Sequence, residues 1–135
     1  MQNSPSNTVH VTVETGFVAQ QSKPENNHFV FFYTITIHNN SNEACQLLSR
    51  HWLIQDSNKK TEEVYGEGVI GEQPLIAAGE SYQYTSGAVL ETEIGTMEGR
   101  YFMVRKPGVE ENENNAAEFE VSIPRFTLSI PRVLH

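Results

Sequence analysis

The chain has 135 residues, a formal net charge of −8 and a single cysteine. That length fits one domain able to bury roughly two-thirds of its unfolded surface. Only nine Lys and Arg residues are present, and they are scattered. Clustered cations are needed to displace counterions from a phosphate backbone or to dock on an anionic lipid surface, so direct nucleic-acid and membrane-surface binding are excluded as expectations. Cys45 has no partner for an intramolecular disulfide, which suits a reducing compartment.

The opening run, residues 1–7, is polar and lacks the basic and apolar regions of a secretion signal. It reads as a flexible N-terminus. No apolar stretch approaches the ~18 residues of a membrane span, so the expectation is a soluble cytoplasmic protein. Val9, Val11 and Val13 alternate with polar residues and predict a first strand. Phe29, Phe31, Tyr33, Ile35 and Ile37 form the strongest strand. Its other face carries His28, Val30, Phe32, Thr34, Thr36 and His38, the mark of a central strand. Val30 and Phe32 make an outward apolar stripe that needs cover from the C-terminal tail or from a second copy of the chain, so a homodimer is a candidate assembly.

Asn39-Asn40-Ser41-Asn42 is a turn. Leu48, Trp52 and Ile54 share parity in a third strand, with Trp52 assigned to the core. Arg50 shares that parity, which is wrong for a charged residue and signals a bulge or a strand end. A short fourth strand over 61–65 leads into Gly66-Glu67-Gly68-Val69-Ile70-Gly71. Pro74 and Gly79 bracket a connection, and Tyr82 and Tyr84 mark another strand. Residues 87–96 read as a long loop, followed by a strand over 100–105. Residues 107–117 are acidic and Asn-rich, a hairpin loop or a disordered run. Phe119, Val121 and Ile123 give the last strand. Residues 124–135 carry apolar side chains and two prolines, and are expected to lie extended against the body. No segment carries helical periodicity. Seven or eight short strands punctuated by Gly, Pro and Asn turns predict an all-β antiparallel sandwich spanning 1–135 as one domain.

The glycine run matches the G-x-G-x-x-G pattern of pyrophosphate binding, which requires a helix opening at the third glycine. Here Glu72-Gln73-Pro74 follows, then a strand-like alternation. An acidic residue about 20 positions on, closing a second strand of a βαβ unit, is also missing. Gly66, Gly68 and Gly71 are better read as turn and bulge positions. A nucleotide or pyrophosphate ligand stays open as an alternative, with Arg50 and Arg100 as the available cations.

Other chemistries fare less well. Cys45 has no cationic neighbour to activate it as a nucleophile. Glu110, Glu111 and Glu113 lie in a polar run, unsuited to a rigid acid–base pair. His10, His28, His38, His51 and His135 show no metal-ligand spacing. His28 and His38 share a face but stand roughly 33 Å apart at about 3.3 Å per residue, so a metal would have to gather ligands from separate strands; direct divalent-metal binding stays open as a further alternative on those terms.

The run Ser49-Arg50-His51-Trp52-Leu53-Ile54-Gln55-Asp56, the stretch from Glu62 through Pro74, Gly79-Glu80, Tyr84-Thr85-Ser86-Gly87, Met97-Glu98-Gly99 and the closing Ile123-Pro124, Phe126 and Leu128 strongly resemble the ApaG family. The resemblance covers nearly the whole chain, with a longer acidic insertion around residues 110–115. It implies a fibronectin type III-like sandwich. It further implies a domain found in larger eukaryotic proteins, including an F-box protein in which it is assigned substrate selection and a protein associated with a DNA polymerase subunit. In bacteria the family is tied to divalent-cation handling, notably cobalt resistance and magnesium efflux. The family has no established catalytic residues, so none is assigned and no cofactor is expected.

The expectation is therefore a non-enzymatic protein-interaction module that acts on cation homeostasis through a partner. Arg50, Tyr65, Glu67, Gly68 and Glu72 are its candidate contact residues, because a loop with three glycines loses backbone entropy that only a functional role returns, and Arg and aromatic side chains favour interfaces.

Overall fold

The computed structural model describes residues 9–106 and 118–131. Eight strands run in chain order: β1 Val9–Phe17, β2 Phe29–Asn39, β3 Ala44–Asp56, β4 Thr61–Glu67, β5 Leu75–Ile76, β6 Ser81–Leu90, β7 Ile94–Lys106 and β8 Glu118–Ser129. Two single 3-10 turns, Ala19–Gln21 and Pro24–Asn26, are the helical elements among the described residues. All strand pairings are antiparallel. One sheet has the order β1-β2-β6; the other has the order β4-β3-β7-β8, with β5 paired to β3 beyond the end of β4. The molecule is thus the antiparallel sandwich that the alternation predicts, in keeping with the fibronectin type III-like sandwich that the resemblance implies.

The core lies between the layers and is set by period-two patterning. On β2 every second residue from Phe29 to Ile37 is buried. Facing it are Leu47, Trp52, Met97, Tyr101, Met103, Val121, Ile123 and Leu128. Burying each large side chain contributes on the order of 1.5–3 kcal/mol. Trp52 sits in this core at 2% exposure, edge-on to Tyr33 at 5.3 Å and to Phe126 at 5.9 Å.

Two bulges decide which residues face inward. On β3 the pairing with β7 slips between Leu47 and Ser49. The inward residues are Cys45 and Leu47 before the slip and Arg50, Trp52 and Ile54 after it, so the parity anomaly at Arg50 has its cause in this extra residue. On β8 the slip opposite Met97 and Gly99 moves the inward set from Val121 and Ile123 to Phe126 and Leu128. Residues 124–129 therefore continue β8 as a paired strand beyond Pro124.

Two expectations need correction. Residues 87–96 are not a long loop: β6 runs to Leu90, β7 begins at Ile94, and only 91–93 turn the chain. The glycines that suggested a loop lie within strands. Gly87 faces Phe32 across β2, and a side chain at Gly95 would strike the Gln55 carbonyl oxygen at 2.6 Å. Residues 124–129 of the C-terminal segment belong to the other sheet and do not cover the outward Phe32. It lies over Gly16 on β1, where an added Cβ would come within 2.2 Å of the ring. The acidic run 107–117, residues 1–7 and residues 132–135 fall outside the described residues.

Candidate functional site

The glycine segment is an excursion of the chain between β4 and β5, both of which pair with β3. It leaves the sheet at the β3 bulge, and the bulge holds it. The carbonyl of the extra residue, Leu48, accepts the Gly68 amide at 2.8 Å and the Gln73 side-chain amide at 2.9 Å. The Leu47 amide donates to the Pro74 carbonyl at 3.0 Å, and Gln46 Nε2 donates to the Gln73 carbonyl at 3.0 Å.

At the tip, Val69 and Glu72 exchange backbone hydrogen bonds at 2.8 and 2.9 Å around Ile70 and Gly71. Both central residues have positive φ, 42° and 83°, the signature of a type I′ turn. Gly68 adopts φ 63°, and a Cβ there would sit 2.2 Å from the Glu72 carbonyl oxygen. Gly66 and Gly68 are thus fixed by close approach and Gly71 by backbone sign alone.

Arg50 explains Gly66. Its side chain points between the layers, and a Cβ at Gly66 would lie 2.7 Å from the guanidinium carbon. Nη1 donates to the carbonyl oxygens of Gly68 at 2.6 Å and Glu67 at 3.2 Å. The five ion pairs among the described residues use His51, Lys60, Arg100, Arg105 and Arg125, and leave Arg50 without a carboxylate. Around it stand the tyrosines of the core. Tyr84 and Tyr101 share a hydrogen bond between their hydroxyls at 2.5 Å. Burial pushes the pKa values of Tyr33, Tyr84 and Tyr101 up, while the Arg50 charge pulls each of them down. Burial likewise pushes the Cys45 thiol up to about 11, which keeps it protonated and unreactive.

The remaining expected contact residues surround the same corner on the outside. Tyr65 is 68% exposed and stacks on His51 at 4.2 Å, on the outer face of the larger sheet. Glu67 and Glu72 are exposed, and Glu72 accepts the Tyr82 hydroxyl at 3.2 Å. Arg50 alone of the set is turned inward, where it holds the loop. Sequence reasoning missed Ile70 and Leu75, which are 57% and 60% exposed. The signal for Ile70 was a β-branched residue directly before the final glycine, where a type I′ turn forces it into positive φ.

The requirements of pyrophosphate binding are not met here. Strand β5, not a helix, follows the third glycine. The amides of Gly68, Val69 and Glu72 are occupied by backbone carbonyls. Arg100, the second available cation, lies on the outer face of the larger sheet, bonded to Glu120 at 3.3 Å and set over the Phe102 ring. For metals, His10 and His38 stack at 4.6 Å across β1 and β2, but His51 faces Tyr65 and Arg100 rather than another histidine. No group of three His, Cys, Asp or Glu residues that could hold an ion occurs among the described residues.

Fold and site together define the class: a small antiparallel β-sandwich that carries a rigidly held glycine hairpin on one sheet edge. The model for the ApaG domain matches residues 19–105. Protein ApaG of Thiobacillus denitrificans is 48% identical over 127 residues, covering 94% of both chains, and Protein ApaG of Azoarcus sp. is 47% identical over the full length of both. Among solved structures, the putative ApaA protein of Bordetella pertussis superposes with a TM-score of 0.84 at 42% identity, covering 93% of this chain and 95% of its own. The chain belongs to the ApaG family.

Proposed function

We propose that this protein is a non-catalytic interaction module whose partner, a protein, docks on the glycine-hairpin corner. One observation carries the reading. Ile70 is held at φ 42° with 57% of its surface in water, at the tip of a hairpin anchored from below at Leu48 and Arg50. A β-branched residue in that conformation is strained, and an exposed apolar tip is a poor return for the strain unless it is used. Tyr65 and Leu75, on the strands flanking the hairpin, add two more exposed apolar side chains, with Glu67 and Glu72 between them. An apolar centre on a rigid support with a polar rim is the usual anatomy of an interface. The setting proposed is the cytoplasm, and any influence on divalent cations would pass through the partner.

The test is affinity capture from the native cytosol by the wild type and by Ile70→Asn. Asn tolerates positive φ, so this variant removes the apolar tip while easing the backbone. The expected result is loss of the captured partner with no loss of thermal stability. Equal capture by both forms would remove Ile70 from the interface.

A further inference from the structure

Behind the glycine hairpin, whose Val69 and Ile70 help to line it, the molecule holds a cavity. The two layers approach along the β1–β8 side, whereas on the β4–β6 side they part around a cavity of about 430 Å³. Both strands that flank it are sheet edges. Its walls combine apolar side chains, Trp52, Val64, Ala88 and Met97 among them, with a comparable share of polar surface. Arg50, Tyr33 and Ser86 line one end of the cavity and Glu62 the other. Two observations around the cleft bear on a ligand. Arg50 has no carboxylate partner among the described residues. The indole N–H of Trp52, a residue 2% exposed, has no acceptor among them either. Arg50 donates only to neutral carbonyls, which leaves its charge uncompensated, and a buried donor left unmatched, as at Trp52, costs free energy.

We propose that this interlayer cleft binds a small amphipathic carboxylate, its head on the Arg50 guanidinium and its apolar body along Trp52, Val64 and Ala88. Charge chooses carboxylate over phosphate. Arg50 is the one cationic residue lining the cleft, and Glu62 lines it too. On β4 Glu62 pairs with Ile54 and Gly66 with Arg50. Four residues separate them, about 13 Å at 3.3 Å each, so the acidic side chain stands beyond the apolar stretch. A monoanion neutralises Arg50 with nothing left over. A phosphate dianion would leave a charge uncompensated in a partly dry cleft that also holds a glutamate. Tyr33 stays protonated because burial raises its pKa, and so it remains a donor toward the head group. The geometry leaves room for this ligand while Nη1 of Arg50 keeps its bonds to the hairpin, because a guanidinium carries five N–H donors.

The experiment is a titration followed by proton–nitrogen correlation spectra. Trp52 is the single tryptophan, so its indole N–H gives one unambiguous signal. The probes are acetate, butyrate and hydrocinnamate, with hydrocinnamamide and phenyl phosphate as controls. The expected result is that hydrocinnamate moves the Trp52 indole signal and the amides of Ser86 and Ala88. Its amide should bind about tenfold more weakly or worse, since a charge-assisted hydrogen bond of that order is lost. Arg50→Gln should abolish the preference for acid over amide, and Arg100→Gln should leave it intact. Because Arg50→Gln also loosens the hairpin, Ala88→Leu serves as an independent variant: it narrows the cavity from the β6 wall without touching Arg50, and should weaken every probe. The proposal is overturned if acid and amide bind alike, if phenyl phosphate binds more tightly than hydrocinnamate, or if no carboxylate moves the Trp52 signal at millimolar concentration.

Discussion

Gly68 and Gly71 both have positive φ, yet the structure assigns them unequal costs on substitution. At Gly71 an added Cβ meets nothing within 4 Å. Gly71→Ala then costs only the left-handed backbone penalty of about 1–2 kcal/mol, partly offset by about 0.5–1 kcal/mol from a less flexible unfolded chain. At Gly68 the same Cβ lies 2.2 Å from the Glu72 carbonyl oxygen and 2.8 Å from its carbon, both backbone atoms. Ordinary contact needs at least 3.4 Å, so that carbonyl must move by more than an ångström. The move breaks the Val69-to-Glu72 bond and strains the Gly68-to-Leu48 bond, each worth about 1 kcal/mol. Gly68→Ala should therefore cost roughly 2–4 kcal/mol in all against about 1 kcal/mol or less for Gly71→Ala. At about 3–5 °C per kcal/mol for a domain of this length, differential scanning calorimetry should find a Tm loss near 10 °C in the first case and a few degrees in the second. Equal losses would refute the claim that Gly68 is fixed by contact and Gly71 by backbone sign alone.

Arg50→Gln should destabilise the protein by about 1.5–3 kcal/mol, the worth of hydrogen bonds from a charged group, and should speed hydrogen exchange at the Gly68 amide. If exchange there is unchanged, Arg50 does not hold the hairpin. Tyr84 and Tyr101 have pKa values raised by burial, so their neutral forms favour the fold. That contribution is complete below about pH 10, where unfolded tyrosine titrates, and is lost as the pH rises above it. Ultraviolet titration should find the two phenols silent until the protein unfolds; ionisation near pH 10 with the fold intact would contradict their burial. Cys45, pushed up to about 11 by burial, should resist thiol reagents at neutral pH in the native state and react once unfolded.

The fold was legible because period-two alternation is local. β2 could be read residue by residue, with every inward position from Phe29 to Ile37 a hydrophobic one. Where the chain departs from period two, legibility fails for identifiable reasons. A bulge changes the inward parity without changing composition, so Arg50 announced an irregularity on β3 but not its direction. On β8 no charged residue occupies an inward position, and the slip at Pro124 and Arg125 left no trace, so the strand seemed to end at Ile123. Gly87 and Gly95 suggested a loop because a glycine needed for close strand approach is indistinguishable in sequence from one needed for a turn. The hairpin glycines were recognisable as turn residues. Their anchoring by Arg50 and Leu48, and the cavity behind them, depend on which strands become neighbours, and no spacing along the chain encodes that.

The most direct measurement places a photo-crosslinking residue at position 70 and, as a control, at position 85 on the outer face of the smaller sheet. Irradiation in native cytosol should then join a protein to position 70 and none to position 85. A second copy of this chain in that product would make the partner a homodimer mate. Failure of position 70 to crosslink any protein, or identical products from both positions, would contradict the account of the glycine hairpin as the docking corner.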